Sequence, residues 1–211
     1  MAEDRTQSKS APLREDQTEV PPPNRRVFLP QSFGERLLCA VWFFAWAMLF
    51  RPTPVSWGGW RRFLLRRFGA SVGSGSLLHP SIRIDFPWNL AIGDNVLIEH
   101  QVILNCMGEI VLQDGCRISQ YAHLCAGTHV YEDRRMPIVR APIAIGRGVW
   151  IAADAFVGPG VSIGDGSLLA ARSSAFGNLP EGQVCIGEPA RPYKRRFARE
   201  VEHTGPPQRP V

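Results

Sequence analysis

Residues 143–169 read IAIGRGVWIAADAFVGPGVSIGDGSLL, and an aliphatic side chain returns at every sixth position: Ile145, Ile151, Val157, Ile163 and Leu169. Four residues after each of these the side chain is small, at Val149, Ala155, Val161, Ser167 and Ser173, and Gly146, Gly158 and Gly164 directly follow three of them. An apolar helix stripe recurs at three and four residues and a half-buried strand at two, so a period of six fits neither. It is a hexapeptide repeat. Three hexads make one triangular turn of a parallel β-helix, the aliphatic residue filling a corner of the interior while the small residue and Gly let the chain bend.

The same register extends upstream through Val72, Leu78 and Ile84, then Ile92, Ile98 and Leu104, then Leu112, Ile118 and Leu124. Steps of eight from Ile84 to Ile92 and from Leu104 to Leu112 add two residues at a corner, which predicts turns of 20 residues there rather than 18. The repeat stops after Leu124-Cys125-Ala126-Gly127-Thr128-His129 and resumes at Ile143 or Ile145. The expected architecture is an all-β solenoid over residues 71–190 with a loop, 130–142, extruded from one corner, and a basic tail over 191–211.

Ahead of the solenoid, residues 1–31 are rich in Pro, Ser, Gln and charge and read as a disordered tail. Residues 32–70 form an apolar and basic helical segment. Leu37 to Phe50 is a run of 14 apolar residues between Arg36 and Arg51, shorter than the roughly 20 that a bilayer span requires. It is expected to lie in a membrane interface or, equally, in a protein groove such as an oligomer contact. Arg51-Pro52-Thr53-Pro54 ends that helix. Trp57 to Phe68 then mixes aromatic side chains with four arginines, which suits lipid headgroups or a phosphorylated partner, or else a solvated face.

A chain of 211 residues, 45% hydrophobic and 20% charged, holds one compact domain and a core that needs no staples. Its net charge of 24 − 19 = +5 is local: between Arg36 and Arg83 there are seven arginines and no acid. Five cysteines with no CxxC pair exclude a disulfide framework or zinc ribbon and fit a reducing compartment. The apolar run begins too late for a signal peptide. The protein is therefore expected to be cytoplasmic, at the inner face of the plasma membrane, and the charge comes with no nucleic-acid-binding motif.

His129 stands at the base of the extruded loop, where an imidazole can reach solvent and act as a general base toward a hydroxyl. The string from Ile118 to Asp133, with Pro142-Ile143-Ala144-Ile145-Gly146 and the segment Val149 to Val161, resembles the hexapeptide-repeat acetyltransferases. Within them it looks closest to the colanic acid biosynthesis acetyltransferase branch, near the maltose, galactoside and nodulation-factor O-acetyltransferases. Phe86-Pro87-Trp88-Asn89-Leu90 and the Trp-Arg-Arg-Phe-Leu-Leu-Arg-Arg-Phe-Gly segment at 60–69 add to that likeness, which covers roughly residues 33–196.

The resemblance implies a left-handed β-helix that works as a homotrimer, with acetyl-CoA bound between two subunits and no metal. It makes His129 the base that deprotonates a sugar hydroxyl, on a free or lipid-linked glycan; proximity in sequence, not the resemblance, offers Glu132 or Asp133 to orient the ring, unless they are solvated loop charges. It places Trp150, Ala153, Ala171 and Arg191, the last in Gly187-Glu188-Pro189-Ala190-Arg191, on the CoA side. Ala175-Phe176-Gly177-Asn178 stands where relatives often carry Val-Thr-Lys-Asp, so Arg172 and Lys194-Arg195-Arg196 are expected to replace the missing cation. On the acceptor side, Glu99 and Met107 replace an Asn and an Asp of the galactoside-type relatives, and Asp85, Trp88 and Asn105 are further sugar-contact candidates. Two other readings remain at this point: a non-catalytic scaffold of a polysaccharide assembly, and a γ-type zinc carbonic anhydrase using His100, His123 and His129.

Overall fold

The computed structural model describes residues 33–197 and the backbone of Arg26–Val27. Apart from that dipeptide, the tail expected over 1–31 lies outside the described residues, as does the chain after Phe197. The hexads build three parallel faces. The first holds Ser71–Val72, Leu90–Ile92, Ile110–Leu112, Ile143–Ile145 and Ser162–Ile163. The second holds Leu77–Leu78, Leu97–Ile98, Arg117–Ile118, Trp150–Ile151, Leu168–Leu169 and Gln183–Gly187. The third holds Arg83–Asp85, Ile103–Asn105, His123–Cys125, Phe156–Val157 and Ser174–Ala175.

The ladders fix the turn lengths. Val72 pairs with Ile92 and Ile92 with Leu112, steps of 20 residues, whereas Ile145 pairs with Ile163 and Val157 with Ala175, steps of 18. The aliphatic columns stack inside the prism, with Leu104, Ile118, Leu124, Ile151 and Leu169 fully buried. Two corners turn through the left-handed region at equivalent positions: Gly75, Asn95, Gly115, Gly148 and Gly166 at one, Gln101, Tyr121, Asp154 and Arg172 at the other. Side chains other than Gly adopt that region only where the surrounding structure imposes it.

The third corner, between the third and first faces, absorbs every extra residue. It takes the Pro87–Asn89 turn, residues 106–109, and the long insertion after Cys125. That insertion is more ordered than a loop: Gly127–His129 pairs antiparallel with Ile138–Arg140, which pairs in turn with Arg26–Val27. This arm leaves the coil undisturbed, because Ile143 on the far side still pairs with Ile110 beneath it.

A solenoid leaves a row of unpaired carbonyls at each end, and buried ones need donors. At the first coil, helix α1 (Phe33–Ala45), continued by a π-helical turn through Phe50, and helix α2 (Gly58–Arg67) supply them. Trp42 and Trp46 donate their indole N–H to the carbonyls of Ile84 and Ile82 at 2.7 and 2.9 Å. Arg61 donates to Leu78 (2.7 Å), Arg62 to Ser76 (2.8 Å) and Arg66 to Val72 (2.9 Å from Nε). Three of the four α2 arginines therefore finish the sheet rather than forming a solvated or lipid-facing row. The other end is closed by a hairpin of Gln183–Gly187 with Ala190–Arg195, so the boundary expected at 190 falls inside paired structure.

Candidate active site

The insertion corner is assembled from backbone approaches that only small residues permit. A Cβ on Gly108 would lie 2.7 Å from the Ala126 carbonyl oxygen and one on Gly127 would lie 2.7 Å from the Met107 sulfur. Met107 thus packs under the root of the arm. Asn89 binds the stacked turns together, its side-chain amide donating to the carbonyls of Cys106 (2.9 Å) and Met107 (3.3 Å).

His129 ends the first strand of the arm, with its side chain exposed to solvent. Its Nδ1 lies 2.7 Å from the Met136 carbonyl oxygen. A carbonyl only accepts, so Nδ1 carries the proton and Nε2 presents its lone pair outward, the tautomer a base requires. The Met136 carbonyl is presented by a turn in which the Met136 N–H donates to the Asp133 carbonyl at 2.7 Å and Met136 itself has φ of 43°. The Asp133 carboxylate accepts from the Arg135 backbone N–H at 2.9 Å and pairs with its guanidinium at 3.3 Å. Those two donors, the backbone one foremost, hold the Asp133 carboxyl below its ordinary range. The group that orients His129 is therefore a main-chain carbonyl. Asp133 acts one step back, through the turn, and Glu132 is an exposed residue of the same arm.

The arm is also tied to the N-terminal helix. Arg140, directly across from Gly127, lies 3.5 Å from the Glu35 carboxylate in the first turn of α1, and its guanidinium sits 5.9 Å from the Phe86 ring centroid. Beneath it, Asp85 and Asn105 are ladder partners on the third face, and Trp88 stands edge-on to Phe86 at 5.7 Å. The structure thus brings Asp85, Trp88, Asn105 and Met107 to the corner from which His129 rises. Glu99 lies one corner away, where its carboxylate accepts from the Gln120 N–H at 3.2 Å.

The CoA-side candidates form a second group. Trp150 lies on the second face with its indole N–H 3.0 Å from Ser119 Oγ, and Ala153 and Ala171 line the adjoining corner of successive coils. Arg191 is exposed on the terminal hairpin, opposite Ile186. Within one chain this group and His129 stand on different edges of the prism, with the third face between them. Of the proposed replacement cations, Arg172 pairs with Asp154 at 3.6 Å and Lys194 is exposed. Arg196 is occupied otherwise: its Nη1 donates to the carbonyls of Gly148, Gly166 and Ser167 at 2.9–3.1 Å.

His123 belongs to neither group. It is half-buried on the third face, edge-on to Phe156 at 5.5 Å, and burial pushes its pKa below the ordinary value. His100 lies on the corner between the second and third faces, between His79 and Tyr121. The three histidines considered as zinc ligands are thus on a corner, a face and an arm, and among the described residues no group of three or more His, Cys, Asp or Glu is placed to hold a metal.

A hexapeptide solenoid whose insertion arm presents an exposed histidine has the form of a hexapeptide-repeat acetyltransferase. Two solved structures share the fold: a galactoside acetyltransferase in complex with coenzyme A (TM-score 0.74, 22% identity, 81% of this chain and 86% of that one) and a hexapeptide-repeat acetyltransferase of Vibrio cholerae O1 biovar eltor complexed with acetyl coenzyme A (0.73, 23%, 81% and 93%). No family model matches the chain. Over 174 residues, however, it is 39% identical to WcaF, named as a colanic acid biosynthesis acetyltransferase of Escherichia coli (strain K12), covering 82% of this chain and 96% of that protein. The chain belongs to this family of left-handed β-helix acetyltransferases.

Proposed function

We propose that the protein moves an acetyl group from acetyl-CoA to a hydroxyl of a sugar in surface-polysaccharide biosynthesis, free or lipid-linked. The observation that carries this is the 2.7 Å contact of His129 Nδ1 with the Met136 carbonyl, which leaves Nε2 as the acceptor of a proton. Nε2 takes the hydroxyl proton as the sugar oxygen attacks the thioester carbonyl. The carbon–sulfur bond then breaks, and the departing CoA thiolate receives the proton back from Nε2. No acyl-enzyme forms, and no metal takes part. Asp85, Asn105 and Trp88 supply the carboxylate, amide and aromatic ring that suit a carbohydrate beside that base. The complex of the Vibrio cholerae protein with acetyl coenzyme A supports the donor, and the naming of WcaF for colanic acid biosynthesis supports the acceptor class.

The separation of His129 from Trp150, Ala153, Ala171 and Arg191 within one chain supports a further element of this reading. The working unit is a homotrimer in which the arm of one subunit faces the CoA edge of its neighbour.

General-base catalysis contributes roughly 10²- to 10⁴-fold, so His129→Ala lowers turnover by at least about 100-fold while leaving acetyl-CoA binding in place. Calorimetric titration with acetyl-CoA, wild type beside Arg191→Ala, tests the donor side without needing the acceptor. Mixed oligomers of His129→Ala and Arg191→Ala subunits regain part of the activity if the site is shared. No regain in mixed oligomers refutes a site built between chains, and an unchanged rate in His129→Ala refutes the base.

A further inference from the structure

Helix α1 and its π-helical turn give 18 continuous helical residues, Phe33–Phe50, four more than the unbroken apolar run. At 1.5 Å per residue that is about 27 Å, close to the roughly 30 Å hydrocarbon thickness of a bilayer. Length alone would let it cross. Its attachment forbids it: Trp42 and Trp46, in the middle of the helix, are hydrogen-bonded to the carbonyls of Ile84 and Ile82 in the first coil. A helix pinned at its midpoint to a polar solenoid can only lie along a surface.

On the side away from the solenoid, Phe33, Leu37, Val41, Phe44 and Met48 follow one another at helical spacing, and all five are exposed, Phe33 at 83% and Phe44 at 65%. Only Trp42, Ala45 and Phe50 of these 18 residues are buried. Helix α2, at the same end, adds exposed Trp60 and Phe63, whose rings stack at 5.6 Å, and Trp57 is exposed just before it. A helix that is apolar all round is ordinarily buried in something, and an apolar patch of this extent marks a contact surface.

The charges distinguish between the candidate occupants. Arg36 and Arg51 bracket the apolar run, Arg51 with its guanidinium 5.5 Å from the Trp46 ring centroid, and Arg67 ends α2; all three are exposed, and no acid occurs from residue 36 to residue 83. Two copies meeting face to face would bring guanidinium groups together, and the carboxylates that flank this stretch, Glu35 and Asp85, are already paired with Arg140 and Arg83. An anionic bilayer places acyl chains against the Phe, Leu and Trp side chains and phosphates against the arginines.

We propose that the capped end of the solenoid is a docking surface for an anionic membrane interface, α1 lying in the plane of the headgroups. This stands apart from the transfer reaction.

The test is flotation of the full-length protein with vesicles of phosphatidylethanolamine and phosphatidylglycerol, beside vesicles of phosphatidylcholine alone. The wild type is expected to float with the anionic vesicles and to bind the neutral ones at least tenfold more weakly. Leu37→Ser/Phe44→Ser is expected to lose at least tenfold of the anionic binding, and Arg51→Glu/Arg67→Glu to remove the preference for anionic lipid. Thermal melts and acetyl-CoA titration of both variants check that the fold is kept. A wild type that floats with neither vesicle overturns the proposal. So does undiminished flotation of the Leu37→Ser/Phe44→Ser protein, or a loss of oligomer mass in that variant without any vesicle binding by the wild type.

Discussion

The two ends of the solenoid meet the same physical demand with different elements. At the first coil, two indoles and three guanidinium groups from helices cover the free carbonyls. At the other end a hairpin continues the second face, and one guanidinium, Arg196, lies along a corner of successive coils, donating to the carbonyls of Gly148, Gly166 and Ser167, the last of which also accepts from the Trp150 N–H. The inner side of each cap is dictated by the sheet edge it covers. The outer side is not: the helical cap exposes Phe, Leu and Trp, the hairpin cap Arg191, Lys194 and Arg195. The lesson is that an arginine cluster next to a solenoid is first a source of donors for its edge and only then a surface charge.

Removing donors from each end tests this difference, and Arg61 should matter most. It is 1% exposed and donates to Leu78, Thr53, Pro54 and Val55. Unsatisfied buried groups cost about 1–3 kcal/mol each, so Arg61→Ala is expected to lose about 4 kcal/mol in urea unfolding or to fail to accumulate. Trp42→Phe keeps the ring and strands only the Ile84 carbonyl, an expected loss of about 1–2 kcal/mol by the same measurement. Arg196→Ala frees the Gly148 and Gly166 carbonyls at a corner that water can reach, while Ser167 keeps the Trp150 N–H, and about 1 kcal/mol is expected. A loss at Arg196 equal to that at Arg61 would erase the distinction between the ends.

The smallest effect belongs to the coil between them. Burial lowers the pKa of His123 below its ordinary value of 6.5, helped by Arg83 and opposed by Asp85. The folded protein then binds fewer protons than the unfolded chain, so this contribution is complete above pH 6.5 and is lost as the pH falls below it. Melting temperature should decline on acidification, and His123→Phe, which keeps the packing on Phe156, should flatten part of that decline. His79, lowered chiefly by burial, keeps a residual slope of the same sign. An identical pH profile in His123→Phe would remove the titration from the account.

The coils were legible because each hexad repeats the same local demand, and even the 20-residue turns could be counted from the steps of eight. What lay beyond the repeat was less visible. The role of Arg61, Arg62 and Arg66 follows from an open sheet edge many residues away, which no local pattern records. The arm showed as an interruption of the register, but its pairing rests on two strands of three residues, Gly127–His129 and Ile138–Arg140. His129 could be picked out by position and resemblance, while its orienting group could not, since every residue has a carbonyl. Sequence proximity favoured Glu132 or Asp133 for that task, and the turn at 133–136 gives it to Met136. Glu99 stands one hexad before Asn105 and so falls on the preceding corner, the one that carries Ala153 and Ala171.

The insertion leaves the coil at Ala126 and returns at Ala141, whose N–H donates to the Ala126 carbonyl at 3.1 Å, so its two ends are neighbours. A segment joined this way can be lengthened or rewritten with little penalty, since doubling a loop costs only about 0.6 kcal/mol of closure entropy. Because His129 is carried by that segment while Asp85, Trp88 and Asn105 stand on the coils, a cassette of some fifteen residues, roughly one solenoid turn of chain, can be rewritten around the imidazole while the core sequence stays constant.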